Sequence, residues 1–281
     1  MADEQKRINT IDVKAIFYSK NPRLARWIPG FVFSYLKRIA HQDFFNDFIL
    51  RNGDKRNIEF IEACVKDFDV TLETFGEEKL PETGRFIFAA NHPLGGFDGI
   101  VLMKILSSHY NKIRYLVNDI LMNLYNISEL FIPINKHGSL GAKAVKQLDE
   151  AYNSDAQILT FPSGFVSRKI KGLIMDFPWQ KNFIIKAVKH QRDIIPVHFS
   201  GRNTNFFYNL YNFRKILGIK ANIEMLYLAD ETVKHSHKHL TVRFGDPIPW
   251  QALDSSRKPI EWAKWVKEKV YAMDGVFSVP L

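Results

Sequence analysis

The chain has 281 residues, 46% of them hydrophobic, and a formal net charge of +9 with a sequence pI near 9.4. This composition supports a sizeable core in one domain, and the basic excess indicates an anionic partner such as nucleic acid, a phosphorylated substrate or a membrane surface. A single cysteine, Cys64, excludes an intrachain disulfide and suits a reducing compartment.

The polar N-terminal residues predict no secretory signal, and no apolar stretch is long enough to span a bilayer. We therefore expect a soluble or peripheral protein. Residues 13–42 contain no acidic side chain, and their basic residues alternate with aromatic ones. Such a segment can lie in a membrane interface, or it can form a helix docked on the core with a solvated basic face.

The first 69 residues are predicted to form a helical arm, with helices at about 31–51 and 55–68. A strand-like segment, 70–75, is followed by a turn-rich connection at 76–84 that marks the boundary with the catalytic unit. Residues 70–281 form the second predicted domain.

Beyond Arg85, strand-like and helix-like segments alternate. This alternation predicts an α/β fold in which helices flank a mixed, mostly parallel sheet. Predicted strands are 86–90, 113–117, 130–134, 157–161, 194–199, 223–227 and 240–244; predicted helices are 99–109, 119–125, 140–152, 182–190, 206–217 and 259–271.

One stretch combines a strand, a turn and a helix start with two polar side chains. The apolar run 86–90 predicts a buried strand, which Pro93 must end. Gly95 and Gly96 permit a tight turn, and Asp98 follows at the start of a helix. Active sites of open α/β sheets lie at the carboxyl ends of strands, which is where this pattern places His92 and Asp98.

The spacing of His92 and Asp98 allows the carboxylate to accept a hydrogen bond from one imidazole nitrogen, leaving the other as a base for a bound hydroxyl. The alternative is a strand-end histidine beside a simple N-cap. The glycine pair, the strand and the helix together favour the catalytic interpretation.

The motif Asn91-His92-Pro93-x-Gly95-Gly96-x-Asp98 resembles the first motif of the glycerolipid (lysophospholipid) acyltransferases. Five residues separate His from Asp here, whereas the commonest form has four, and the pattern is nearest the hemolysin-like, ornithine-lipid-type O-acyltransferase branch of bacteria. The resemblance implies that His92 and Asp98 are catalytic and that Asn91, Gly95 and Gly96 contribute to substrate binding.

Two further segments resemble the family's acceptor-binding motifs. In residues 131–136 the nearest cation is Lys136, two positions beyond the family's usual Arg; it is an acceptor-binding candidate or an ordinary loop lysine. Residues 161–169 resemble Phe-Pro-Glu-Gly-Thr-Arg-Ser, with Ser163 in place of Glu, Gly164 retained and Val166 in place of Arg. Arg168 and Lys169 are alternative candidates for the displaced cation, and these changes fit an acceptor other than lysophosphatidate.

A fourth segment, 194–203, resembles the family block that lines the acyl pocket, and His198 is expected to be a wall residue. The histidines at 235, 237 and 239 precede a strand without a metal-ligand arrangement, so no metal is predicted.

The resemblance implies transfer of a fatty acyl group from an acyl carrier protein or coenzyme A thioester, with no bound cofactor, to the hydroxyl of a lysolipid. It places the protein in the cytoplasm, on the inner face of the membrane. The main alternative is a serine acyl hydrolase with Ser163 as nucleophile, although Phe161 and Phe165 stand where a nucleophile elbow has glycines. No nucleic-acid-binding motif accompanies the basic charge.

Overall fold

A computed structural model describes residues 10–118, 121–134 and 142–275, and its centre is a seven-stranded sheet in the order β1-β9-β8-β2-β5-β3-β4. Neighbouring strands are parallel except for β8 and β9. Two further strands, β6 and β7, form a separate antiparallel hairpin. The strands are β1 (Thr71–Phe75), β2 (Phe86–Ala90), β3 (Ile113–Val117), β4 (Phe131–Pro133), β5 (Gln157–Thr160), β6 (Arg168–Ile170), β7 (Leu173–Met175), β8 (Asp193–Phe199) and β9 (His239–Phe244).

Helices cover both faces of the sheet, and its central strand, β2, is accordingly apolar throughout. The helices are α1 (Val13–Lys20), α2 (Pro22–Trp27), α3 (Gly30–Ile39), α4 (Gln42–Arg51), α5 (Asn57–Asp67), α6 (Gly96–Leu106), α7 (Ala142–Asn153), α8 (Asn182–His190), α9 (Asn205–Ile216), α10 (Leu228–Val233) and α11 (Pro259–Ala272). The mixed, mostly parallel sheet flanked by helices confirms the predicted fold class.

Strand β2 lies at the centre of the sheet, and all five of its residues are buried. Its side chains alternate between two cores. Phe88 packs with α5 and α6 on one face, whereas Ile87 packs with α8 and α11 on the other. Backbone pairing with β5 and β8 on its two sides fixes where β2 ends, at Ala90, two residues before His92.

The N-terminal helices divide between two cores. Helices α1 to α3 form a small cluster of their own around Phe33 and Leu36, to which Tyr227 also contributes. Helices α4 and α5 instead bury Phe48 and Phe60 in the main core beneath the sheet. The segment before β1 therefore contains both a peripheral layer and part of the main core.

Two predicted helices differ from the structure. The helix predicted at 31–51 is interrupted at His41, which adopts a left-handed conformation (φ 46°) and bonds Asp230 through Nε2 at 2.8 Å. The helix predicted at 119–125 is wrong as well, because only short 3₁₀ turns, Leu121–Asn123 and Tyr125–Leu130, occupy the described part of that region.

One predicted strand is also wrong, and one hairpin was not predicted. Ile223–Tyr227 is a 3₁₀ helix, because the Glu224 carboxylate is drawn into the interior by two arginines. The sequence analysis did not identify the β6–β7 hairpin, whose strands have three residues each and no apolar alternation. No helix within the described residues is long and apolar enough to span a bilayer.

Candidate active site

His92 and Asp98 face each other across the turn between β2 and α6. His92 Nδ1 lies 3.0 Å from Asp98 Oδ2. The imidazole is 14% exposed, and its Nε2 has no hydrogen-bond partner among the residues that the structure describes. A carboxylate on Nδ1 fixes the tautomer in which Nε2 carries the lone pair. The pair is thus arranged to leave Nε2 available as a base.

The Asp98 carboxylate is fully buried and is held by backbone amides as well as by the imidazole. Leu94 N–H and Gly95 N–H donate to Oδ2 at 3.0 and 3.1 Å. Burial raises the pKa of Asp98, and the hydrogen bonds from His92, Leu94 and Gly95 oppose that rise. These donors lock the position of the carboxylate, so the imidazole it contacts is fixed too.

One of the two glycines of the turn, Gly95, is required by the backbone shape. Gly95 has φ 98° and ψ −141°, a conformation open essentially only to glycine. A Cβ there would also lie 2.9 Å from the Leu228 side chain. Gly96 then begins α6, so its N–H is one of the helix's unpaired first-turn donors.

An aromatic side chain supports the imidazole from one face. The Phe161 ring, at the carboxyl end of β5, stacks on His92 with centroids 4.2 Å apart and planes 22° apart. Phe161 is held in turn by the edge of Tyr115, with a centroid distance of 5.6 Å. Ring orientation at His92 is therefore set by packing as well as by its hydrogen bond to Asp98.

Asp176, which follows β7, binds the backbone at the active-site turn and was missed by the sequence analysis. Its Oδ1 accepts from His92 N–H at 3.2 Å and from Ser167 Oγ at 2.5 Å. Trp179 Nε1 donates to Oδ2 at 2.9 Å, and Ser167 N–H donates to His92 O at 2.7 Å. The backbone N–H and C=O of His92 are thus both hydrogen-bonded to residues of the β6–β7 region. Asp176, which accepts from the N–H, lies 84 positions after His92 in the chain.

Asn91 ties the turn to β8. Its Nδ2 donates to Phe199 O at 2.9 Å, and its Oδ1 accepts from Phe199 N–H at 2.6 Å. The side-chain amide therefore substitutes for a strand partner where β2 stops. In the structure Asn91 is buried and has this positioning role; its predicted contact with substrate stays a prediction.

Ser163 and Gly164 form a tight turn at the end of β5. Ser163 Oγ donates to Phe165 O at 2.6 Å, and Gly164, at φ 65°, donates its N–H to Phe161 O at 2.9 Å. The Ser163 hydroxyl is therefore bonded within its own turn rather than to His92. This geometry does not support the hydrolase alternative.

Arg168 lies behind this turn and is only 2% exposed. Its Nη2 donates to Glu224 Oε1 at 3.0 Å, and its guanidinium lies over the ring of Phe207. Its predicted role in acceptor binding stays a prediction, as does that of Lys136, which lies outside the described residues.

A comparison with protein families decides the class of enzyme. A family model described as "Acyltransferase" matches residues 15–278. The chain belongs to this acyltransferase family. The sequence-based recognition of an acyltransferase is confirmed, and the His92–Asp98 turn lies within the matched region.

Two named relatives of this acyltransferase cover nearly its whole length. A lyso-glycine lipid O-acyltransferase of Bacteroides thetaiotaomicron is 49% identical over 264 residues, which is 94% of this chain and 97% of that protein. One from Phocaeicola vulgatus is 48% identical over 264 residues, 94% of this chain and 95% of that protein. Among solved structures, the 1-acyl-sn-glycerophosphate acyltransferase PlsC of Thermotoga maritima matches with a TM-score of 0.46 and 15% identity, over 89% of this chain and 95% of that chain.

The other histidines of the acyltransferase contact separate partners. His235 Nε2 lies 3.2 Å from Asn203 Oδ1, whereas His237 bonds Asp69. His198 is buried against Tyr271, with ring centroids 6.0 Å apart. Across residues 10–118, 121–134 and 142–275, no group of three His, Cys, Asp or Glu side chains is placed to hold a metal ion.

Proposed function

We propose that this acyltransferase moves a fatty acyl group from an acyl thioester to the hydroxyl of a lyso-glycine lipid. The observation that carries the reaction type is the 3.0 Å contact between His92 Nδ1 and Asp98, with Nε2 left as the base. The acceptor is supported by the two relatives, which are named lyso-glycine lipid O-acyltransferases and align with 94% of this chain.

His92 Nε2 is the proposed base for the acceptor hydroxyl. As the hydroxyl oxygen attacks the thioester carbonyl, its proton passes to Nε2, and the Asp98 carboxylate stabilises the imidazolium that forms. General base catalysis of this kind contributes about 10²–10⁴-fold. When the tetrahedral intermediate collapses, the C–S bond breaks and the imidazolium returns the proton to the departing thiolate.

The carbonyl oxygen becomes negatively charged during attack and requires N–H donors. The amides of Gly95 and Gly164 are already bonded, to Asp98 and to Phe161 O respectively. Gly96 opens α6, where first-turn amides and the helix dipole favour negative charge. We therefore assign the first turn of α6 to the oxyanion.

The proposed donor is a fatty acyl thioester of acyl carrier protein or of coenzyme A, and no bound cofactor takes part. Both donors are anionic, as is a membrane surface, which matches a net charge of +9. The enzyme is proposed to act from the cytoplasm, as a peripheral protein on the inner face of the membrane.

A direct test incubates the purified enzyme with a lyso-glycine lipid and, in parallel, with acyl carrier protein or coenzyme A thioesters of one fatty acid. We expect a diacylated glycine lipid with one of the two donors. His92→Ala should abolish product, whereas His109→Ala, a partly exposed histidine outside the turn, should not. Product formation by His92→Ala at the wild-type rate would contradict the mechanism.

The acceptor is tested in cells that lack the gene. Complementation with wild type should restore a diacylated glycine lipid and consume its monoacyl precursor, and complementation with His92→Ala should not. If the glycine lipids are unaffected by deletion while another lysolipid accumulates, the acceptor assignment is wrong and the reaction class stands.

A further inference from the structure

A groove of about 580 Å³ opens between the Ser163 turn and the carboxyl end of α9. Its lining includes four cationic side chains and no carboxylate. Arg168 and Arg214 lie at its buried side, and Lys215 and Lys220 are exposed. All the charged side chains that line the groove are therefore positive.

The buried part of this charge is incompletely neutralised. Arg168 and Arg214 share one carboxylate, that of Glu224, which is fully buried. Two guanidinium groups and one carboxylate leave a net positive charge. Neutral oxygens, such as those of Val166 and Ile219, accept further hydrogen bonds from the two guanidinium groups but carry no compensating charge.

Aromatic packing compensates only part of that charge. The guanidinium carbons of Arg168 and Arg214 lie 5.2 and 5.1 Å from the centroid of the Tyr211 ring, so one ring serves both cations. Arg168 Nε is buried and has no acceptor within the described residues. An N–H without an acceptor, in a cluster with excess positive charge, indicates that an anion belongs nearby.

The groove is linked directly to the catalytic turn. Ser167, the residue before Arg168, donates its N–H to His92 O at 2.7 Å, and Ser163 lies two positions after Phe161, which stacks on His92. The groove therefore borders the two segments that hold the backbone and the ring of His92 in place.

We propose that this groove binds the terminal oxyanion of a reactant, with Lys215 and Lys220 as the direct contacts and the buried arginine pair as a fixed positive field. The inference rests on the proposed function, which offers two sources of such a group. Glycine joined to a lipid through its amine keeps a free carboxylate, and the pantetheine arm of either donor carries a phosphate.

Binding of small probes tests the groove without turnover. Affinities of the wild-type enzyme are measured by calorimetry for N-octanoylglycine against its methyl ester, and for 4′-phosphopantetheine against pantetheine. We expect the charged member of one pair to bind roughly 10-fold more tightly, since hydrogen bonds to charged groups are strong. Preference within the first pair identifies the acceptor carboxylate, and preference within the second identifies the donor phosphate.

The same measurements on Lys215→Ala/Lys220→Ala locate the preference. It should disappear in this variant and return with Lys215→Arg/Lys220→Arg. The matched control is Lys146→Ala/Lys264→Ala, which removes two exposed lysines elsewhere and lowers the net charge equally. The inference is overturned if neither charged probe is preferred, or if the preference is equal in the groove variant and the control.

Steady-state kinetics connect the groove to catalysis. Lys215→Ala/Lys220→Ala should raise KM roughly 10-fold for the reactant that provides the oxyanion and leave kcat within about two-fold. Unchanged KM values for both reactants would contradict the proposal. An enzyme inactive on lyso-glycine lipids would refute the proposed function, and the probe measurements would still decide whether the groove binds anions.

Discussion

The imidazole of His92 lies against the ring of Phe161, with the two planes 22° apart. A side chain with no polar atom thereby helps to aim the proposed catalytic base. The hydrogen bond to Asp98 fixes one edge of the imidazole, and Phe161 restricts its rotation about that edge.

Phe161→Leu should lower kcat by about 10- to 100-fold, because a misaligned base loses most of its effect while the apolar volume is largely kept. Phe131→Leu is the matched control. Phe131 has the same 7% exposure and makes a similar edge contact with Tyr115, but it does not stack on His92. Both variants should lose a similar amount of stability in thermal unfolding, and equal losses of kcat would contradict the role of Phe161.

Asp98→Asn should reduce kcat on the order of 10³-fold, because a neutral amide does not stabilise the imidazolium that forms during proton transfer. The variant should still fold, since an amide oxygen can accept the hydrogen bonds from Leu94 and Gly95. Full activity of Asp98→Asn in single-turnover measurements would exclude the pair as the catalytic unit.

The stability of the same variant should depend on pH in a defined direction. Burial raises the pKa of Asp98, so the folded state holds the carboxyl proton more tightly than the unfolded state does. The stability that this proton contributes is fully present below the unfolded pKa near 3.8 and is lost as pH rises through the folded pKa. Asparagine cannot ionise and does not incur this loss. Chemical unfolding at pH 4 and pH 7 should therefore show Asp98→Asn gaining free energy of unfolding relative to wild type at the higher pH.

Ser163→Ala should keep kcat within a few-fold of wild type and cost about 1 kcal/mol of stability, because the hydroxyl serves its own turn through Phe165. Acyl transfer and thermal unfolding are measured on the same sample. Complete loss of activity in a folded variant would instead support Ser163 as a nucleophile.

Trp27→Ala/Phe31→Ala should weaken binding to vesicles of anionic phospholipid roughly 10-fold. These side chains are 87% and 76% exposed on the N-terminal helices, in the segment that lacks acidic residues. Ile185→Ala/Ile260→Ala, which removes exposed apolar side chains from α8 and α11, is the control and should bind as wild type does. Equal binding of the two variants in a sedimentation assay would place the membrane contact elsewhere.

The parts of the site that sequence could predict are local. His92 and Asp98 are six positions apart, and a strand, two glycines and a helix start leave few arrangements for them. Asp176 and Glu224 act across long separations and belong to no recognised motif, so only the folded chain reveals them. Residues 223–227 have a strand-like composition, but the ion pairs of Glu224 outweigh that local preference.

The Tyr35 and Tyr227 hydroxyls lie 2.6 Å apart and join α3 to the 3₁₀ helix Ile223–Tyr227. Asn222, the residue before that helix, lines the cationic groove. Residues 222–227 therefore connect the groove to the N-terminal helices, so a shift of α3 would be transmitted to the groove lining through one tyrosine pair.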